Sequence, residues 1–126
     1  MFNGSIINQS PTSEFVTAAG LSSAAFTAVT LTENGVKTSA ADEMPIGILT
    51  AENELPIEAG EHVTAQITGG SLWTAGEALK AGDFLASGAD GVAVKAATGK
   101  FIFAQALENA AQGATARVQI IRAGKL

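Results

Sequence analysis

Glutamates and the single histidine are the residues of this 126-residue chain whose types and spacing could do chemistry. Glu52, Glu54, Glu58 and Glu61 lie close together. Two carboxylates that face each other across a cleft, one with a raised pKa, are what glycoside hydrolysis needs. These four lie instead in the polar, proline-containing stretch AENELPIEAGEH, which is typical of a solvated loop. Because such a loop would at most hold a divalent cation weakly, we favour a solvated acidic loop over a catalytic or metal site.

His62 is the one candidate for an imidazole base. A general base needs an orienting carboxylate and a nucleophile within reach. Glu61 is adjacent, but neighbouring residues of a strand point to opposite faces. Ser71 lacks the glycine two positions later that a nucleophile elbow requires, and Gly99-Lys100 lacks the rest of a phosphate-binding loop. The sequence therefore predicts no catalytic residue, no cofactor and no resident metal, which makes an enzyme the least favoured class.

Composition excludes several partner classes. The chain has no cysteine, and hence no thiol nucleophile or disulfide. A net charge of −5 argues against binding to nucleic acid, which needs a basic face. No stretch reaches the roughly 18 apolar residues that a membrane-spanning helix requires, so no membrane partner is expected. Because only 15% of residues are charged and 6% aromatic, we expect a thin core that gains stability from an oligomer or a docked partner.

The elements that must position any site are predicted to be strands. Short segments rich in Val, Ile, Thr and Phe, several of them alternating, are Glu14–Ala18, Thr27–Thr32, Ile46–Thr50, His62–Thr68, Val92–Lys95, Phe101–Leu107 and Ala116–Arg122. Glycine-rich turns separate them, as at Asn34-Gly35 and Gly69-Gly70. The pattern predicts an all-β protein, either a small barrel of β-tulip type or a sandwich.

The chain also resembles itself. A shift of 56 residues places Gly20–Asn53 without gaps on Gly76–Asn109, with nine of 34 positions identical. We interpret this as two copies of one β unit, pseudo-repeats 20–70 and 76–124, which pack together because neither closes a core alone. The predicted organisation is an extended N-terminal arm over residues 1–14 followed by one β domain over residues 15–126.

Five apolar residues are candidates for contacts with other subunits or partners. Phe2, Ile6 and Ile7 lie among loop-forming residues of the arm and either fold back on their own domain or dock on another chain. Phe15 lies near the start of the first strand segment, Glu14–Ala18. Trp73, the sole tryptophan, is either an anchor in an interface or a residue of the core.

One segment resembles a known family. Trp73-Thr-Ala-Gly-Glu-Ala-Leu-Lys-Ala-Gly-Asp-Phe-Leu85, the Asp90-Gly91 turn, an apolar strand over Phe101–Leu107 and a closing strand that ends near Arg122 resemble the capsid decoration (cement) proteins of tailed bacteriophages. The resemblance implies a β-barrel or β-tulip fold on the outer surface of the virion capsid. It also implies a homotrimer, or else a dimer, that bridges subunits of the major capsid protein and stabilises the shell. No cofactor and no reaction accompany it.

Two alternatives stay open. The Ala-Gly-Glu-Ala-Leu-Lys80-Ala-Gly-Asp run also resembles β-clip modules associated with enzymes, although Lys80 lacks the flanking residues of a lipoyl site. The second alternative is a structural subunit of another surface assembly. Under the capsid hypothesis, the arm and the loops around Trp73 make the lattice and subunit contacts.

Overall fold

The protein is described from a computed structural model that covers residues 12–21, 25–41, 43–50 and 57–126. Within these ranges the chain forms ten β-strands and no α-helix, which confirms the all-β prediction. The strands are β1 Thr12–Val16, β2 Ala28–Thr32, β3 Gly35–Thr38, β4 Gly47–Leu49, β5 His62–Gln66, β6 Gly69–Thr74, β7 Phe84–Ser87, β8 Ala93–Lys95, β9 Phe101–Ala106 and β10 Thr115–Lys125. One 3₁₀ turn, Ala89–Gly91, precedes β8.

The strands form two antiparallel sheets of five, one from each half of the chain. The first unit, β1 to β5, has the order β1-β5-β4-β2-β3. The second unit, β6 to β10, has the order β6-β10-β9-β7-β8, which is the same order with five added to every strand number. The two similar β units predicted from the 56-residue shift are therefore present. Neither sheet closes into a barrel, so of the two geometries left open the structure is consistent with the sandwich.

The backbone outside the strands repeats as well. In the first unit, Leu21 and Ile57 exchange two N–H···O bonds of 2.7 and 3.1 Å. In the second unit, Leu79 and Ala110 exchange two bonds of 2.8 and 3.0 Å. Each pair ties the loop after the first strand of its unit to the loop before the last strand. The same bridge in both halves shows that the repeat extends to loops in which the sequences differ.

Two hydrophobic clusters form the core. One is made wholly of first-unit residues, namely Leu21, Val29, Val36, Leu49, Ile57, Val63 and Ala65. The other surrounds Trp73 and Phe103 of the second unit and takes in Ala28 and Ile48 from the first. The second cluster thus crosses the junction, and burial of Ala28 and Ile48 there helps to hold one unit against the other.

Each of the seven predicted segments overlaps a strand, but three strands were not predicted from the sequence. These are β3, β6 and β7. β6 begins with two glycines, a pair that is typical of a turn and not of a strand. In β7 the residues Leu85, Ala86 and Ser87 are all buried, so the alternation that marks a half-buried strand is missing.

Candidate functional site

The histidine lies on an exposed rim. His62 begins β5, and its Nδ1 is 3.5 Å from Oε1 of Glu14 on the neighbouring strand β1. More than 60% of each side chain is exposed. The carboxylate beside the imidazole is therefore Glu14 and not the sequence neighbour Glu61, a pairing that depends on the β1–β5 register. A contact between two side chains so exposed contributes little to stability.

The acidic loop has a structural role where it is described. The Glu61 carboxylate accepts a hydrogen bond of 2.7 Å from the Glu58 backbone N–H, which closes the turn before β5. Glu52 and Glu54 lie outside the described residues. No group of three or more His, Cys, Asp or Glu side chains that could hold a metal ion is found in the described part of the chain. Likewise, the described ranges contain no helix long and apolar enough to cross a membrane.

Trp73 lies in the core of its own chain. Its side chain is fully buried, its ring meets Phe103 edge-on at 5.5 Å between centroids, and its Nε1–H donates a 2.8 Å hydrogen bond to the carbonyl of Gly91. Of the two interpretations of this residue, the structure favours the core. Leu72, the preceding residue of β6, points the other way and is 37% exposed.

The Ala89–Gly91 turn joins the two units. Gly91 has φ +73°, and a Cβ at this position would lie 2.5 Å from the backbone oxygen of Ala28 in β2. Its carbonyl in turn accepts the Trp73 hydrogen bond. The turn is thus held between the backbone of the first unit and the largest side chain of the second, a position that only glycine fits.

Arg122 links the units on another side. Its guanidinium donates to the Ile46 carbonyl of the first unit and lies 5.2 Å from the centre of the Phe103 ring. Desolvation by the surrounding protein lowers the pKa of Arg122 from its usual value. Its own backbone has φ +46°, in the left-handed region. The arginine therefore spans the junction between the units while its side chain remains exposed to solvent.

The other sequence-predicted contact residues have different positions. Phe15, on the edge strand β1, is half-buried and packs against the first-unit cluster. Phe2, Ile6 and Ile7 lie outside the described residues, so their contacts stay predictions. Lys80 lies in a tight turn in which its N–H binds the Asp83 carboxylate at 2.9 Å.

A groove of about 450 Å³ lies between the two units. Phe26 and Leu49 line it from the first unit, and Leu72 and Leu107 line it from the second. Phe26 has φ +60°, an unfavourable conformation for a residue with a large side chain. Its carbonyl accepts the Thr74 N–H at 2.8 Å, so the same residue also joins the units through their backbones.

The outer face of the second sheet mixes apolar and hydrogen-bonding side chains. Leu72 of β6 lies opposite Arg117 of β10. Gln105 of β9 lies opposite Gln119 of β10 and opposite Phe84 of β7. Phe84 is 45% exposed and Leu72 is 37% exposed. These five residues, called the outer face below, form a continuous band across four strands.

The two units share one strand order but differ in net charge. Residues 1–68 carry eight acidic and one basic side chain, whereas residues 69–126 carry four acidic and six basic. The net charge of −5 is therefore −7 for the first part and +2 for the second. Any partner surface with a charge of its own would be met differently by the two units.

Sequence reasoning missed the junction residues Phe26, Gly91 and Arg122. A signal existed for Phe26, since the 56-residue shift aligns it with Gly82, which also has a positive φ of +92°. The contact of Gly91 with Ala28 joins residues far apart in sequence and left no local signal.

The molecule is thus a two-sheet, all-β protein built from a repeated five-strand unit. Its fold is similar to that in a crystal structure of the head fiber gp8.5 N base in bacteriophage phi29, with a TM-score of 0.72 and 20% sequence identity. The likeness covers 91% of this chain and 98% of the phage chain, so it extends across both units. No protein-family model matches the chain. No curated protein matches it in sequence.

Proposed function

We propose that this protein is a non-enzymatic structural component of a bacteriophage head that binds the outer surface of the capsid. The fold carries the proposal: 91% of the chain superposes on a protein described as the base of a phage head fiber. The resemblance of the Trp73–Arg122 region to capsid decoration proteins supports the same class independently of that superposition.

The finer proposal is a decoration, or cement, role. In this role the protein binds neighbouring subunits of the major capsid protein and holds them together. A protein that binds only the assembled lattice stabilises it by its binding free energy at every site, so many weak contacts add up. We propose a homotrimer as the bound form, since a chain with few aromatic residues benefits from burying surface against its own copies.

The outer face is the surface best suited to the capsid contact. Leu72 and Phe84 offer exposed apolar area, and the row of Gln105, Arg117 and Gln119 between them offers hydrogen-bonding groups. Apolar groups interspersed with satisfied polar groups are typical of protein interfaces. The proposal transfers the contact predicted around Trp73 to its exposed neighbour, because the indole itself is buried in the protomer.

The test is co-sedimentation with undecorated, expanded heads of the cognate phage. We expect the wild-type protein to sediment with heads and Phe84→Lys to lose most of its binding. The matched control is Leu31→Lys, which changes a side chain of the first unit that is 52% exposed and lies away from the outer face. Equal loss in both variants would remove the outer face from the mechanism, and no binding of the wild type would contradict the proposed function itself.

The oligomeric state is tested separately. Light scattering on the purified protein is expected to give three times the 12.7 kDa protomer mass. A monomer that binds heads would contradict the trimer and leave the capsid proposal standing, whereas a monomer indifferent to heads would favour the binding-module alternative.

A further inference from the structure

β6 differs from the other edge strands of the two sheets in carrying no charge. The sheets end at the edge strands β1, β3, β6 and β8. Glu14 lies in β1, Lys37 in β3 and Lys95 in β8, whereas β6 has the sequence GGSLWT. Charged side chains on an edge strand discourage pairing with another chain. Among the described strands, β6 is therefore the edge that the sequence leaves best suited to pair with a further strand.

The backbone of β6 presents hydrogen-bonding groups away from its own sheet at every second residue. The Thr74 N–H binds the Phe26 carbonyl of the first unit at 2.8 Å, whereas the next N–H, that of Ala75, bonds on the β10 side, also at 2.8 Å. Successive residues of a strand direct their backbone groups to opposite sides. The N–H and C=O groups of Leu72 and Gly70 therefore point the same way as the Thr74 N–H, away from β10.

The pairing on the other side of β10 supports this direction. Leu72 lies opposite Arg117, and the Arg117 carbonyl accepts the Leu107 N–H at 2.9 Å, on the side of β9. The Leu72–Arg117 pair is thus one of the alternate pairs of an antiparallel ladder that exchange no backbone hydrogen bonds. Within the described ranges, the Leu72 carbonyl accepts the Ser71 hydroxyl at 3.2 Å, and no backbone carbonyl takes the Leu72 N–H.

This stretch of β6 runs along the groove between the units. At Thr74 the first unit already occupies the edge through Phe26, and farther along β6 the residues Gly70, Ser71 and Leu72 line the groove. A strand advances about 3.3 Å per residue, so an added segment of about four or five residues would span the stretch. The groove therefore begins where the first unit stops pairing with β6.

The side chains of the groove indicate what such a segment carries. Phe26, Leu72 and Leu107 give the groove apolar walls. Arg117 is the charged residue among the described lining residues, and its Nε already lies 3.4 Å from a carboxylate oxygen of Glu108. Apolar walls beside a charge that already has a partner favour a segment with apolar side chains and no charge.

We propose that an extended, uncharged segment of a capsid subunit pairs with β6 at Gly70 and Leu72 and packs its apolar side chains in the groove. In this mode of recognition, backbone hydrogen bonds give affinity and side-chain pockets give specificity. The capsid is the source of the segment because Leu72 and Arg117 belong both to the groove lining and to the outer face, so the two surfaces are continuous. The inference rests on the proposed capsid role and names the part of the partner that binds.

Amide hydrogen exchange on and off heads tests the pairing. The full chain is exchanged in deuterated water, alone and bound to undecorated, expanded heads, then quenched and read by mass spectrometry with residue-resolved fragmentation. We expect the Gly70 and Leu72 amides to exchange about tenfold or more slower on heads, because the added strand takes their N–H groups. Ser71 and Trp73, whose N–H groups face β10, are the internal controls and are expected to exchange slowly in both states.

A matched pair of variants isolates the backbone donor. Leu72→Ala and Leu72→Pro both lose the leucine side chain, but only proline also loses the outward N–H, which is not needed for pairing with β10. We expect Leu72→Pro to bind heads about tenfold more weakly than Leu72→Ala, because a carbonyl of the added strand is left without its donor. Equal binding by the two folded variants would overturn the inference. Urea denaturation checks that both fold, and the exchange measurement on the wild type decides the matter if the proline variant does not.

The exchange measurement separates this inference from the proposed function. If the protein sediments with heads while Gly70 and Leu72 exchange as in the free protein, the capsid role stands and the pairing with β6 is wrong. Protection that appears without heads and rises with protein concentration would also overturn the inference, because it assigns the edge to a second copy. If no protein sediments with heads, the proposed function fails and this inference fails with it.

Discussion

The two units of this protein share one strand order but differ in what fills them. The first unit has an aliphatic cluster around Leu49 and Val63, whereas the second has Trp73 and Phe103 in edge-to-face contact. The second cluster also encloses Ala28 and Ile48 of the first unit, while the first-unit cluster takes no residue from the second. The two units therefore share one backbone arrangement, but only the second unit encloses side chains of the other unit in its core.

The same asymmetry appears at single backbone positions. Where the second unit has Gly82, the first has Phe26 in the same left-handed conformation. Gly35 and Gly91 are equivalent by the 56-residue shift, yet Gly35 approaches the Val16 carbonyl inside its own unit and Gly91 approaches Ala28 across the junction. Equivalent positions thus have different partners, and substitutions at them measure how much each partner contributes to stability.

The largest effect is expected in the second-unit core. Trp73→Ala removes the ring that meets Phe103 edge-on and leaves the Gly91 carbonyl without its donor, so we expect a loss of about 3–5 kcal/mol in the free energy of unfolding. Leu72→Ala, one residue earlier on the exposed side of β6, is the control and is expected to cost less than about 1 kcal/mol. Urea denaturation measures both, and similar losses would contradict the central place given to Trp73.

Gly91→Ala probes the junction. The new methyl group would meet the Ala28 carbonyl at 2.5 Å in addition to the left-handed backbone penalty, so we expect a loss well above the penalty alone of about 1–2 kcal/mol. Gly99→Ala supplies the matched control, because Gly99 has φ +87° with no atom within 4 Å of the added Cβ. If the two variants unfold at the same urea concentration, the close approach between units has no energetic weight.

Substitutions at Phe26 and Gly82 compare the same backbone position in the two units. Gly82→Ala is expected to cost about 1 kcal/mol, because alanine resists the positive φ of +92° and finds no contact to offset it. Phe26→Gly releases strain while it removes a half-buried ring, so its net change is expected to stay within about 1 kcal/mol. Thermal unfolding of both variants gives the two values. A large gain in stability for Phe26→Gly would show that the ring has no compensating contacts.

The smallest effect concerns pH and the first unit. The Ala40 backbone N–H, at 2.8 Å, and then the Lys37 ammonium lower the pKa of Glu43 below its usual value of 4.5. A depressed carboxyl pKa in the folded state means that stability present above the unfolded pKa is lost as pH falls through the folded pKa. We expect Glu43→Gln to cost up to about 1 kcal/mol at neutral pH and little at strongly acid pH.

Urea midpoints measured for Glu43→Gln and wild type from pH 7 down to acid conditions test this sign. The difference between the two proteins should shrink as the pH falls below 4.5. A difference that grows toward acid would reverse the assignment. In the second unit, the Arg117 backbone N–H lowers the pKa of Glu108 in the same way.

Much of the fold could be predicted from local sequence, because half-buried strands alternate and turns need glycine. The alternation in His62–Gln66 and the repeat across Gly20–Asn53 led to the all-β, two-unit architecture. β6 was not predicted because Gly69 and Gly70 interrupt its alternating pattern. Without that strand, the sequence does not show that Trp73 faces inward and Leu72 outward.

The interaction surfaces were less predictable, since they depend on which strands become neighbours. The outer face brings Leu72, Gln119, Gln105 and Phe84 together from four strands, and only the register defines that band. The groove likewise combines residues from both units. Local patterns show which side of a strand is exposed, but they carry no information on the strand beside it.

The measurement that tests the central claim most directly is a density map of undecorated heads incubated with the purified protein. We expect added density on the outside of the shell, at positions where major capsid protein subunits meet, with the outer face of the second sheet toward the shell and the acidic first unit away from it. Heads that show no added density at saturating protein would contradict the capsid role. Density attached through the first unit would contradict the orientation derived from Leu72 and Phe84.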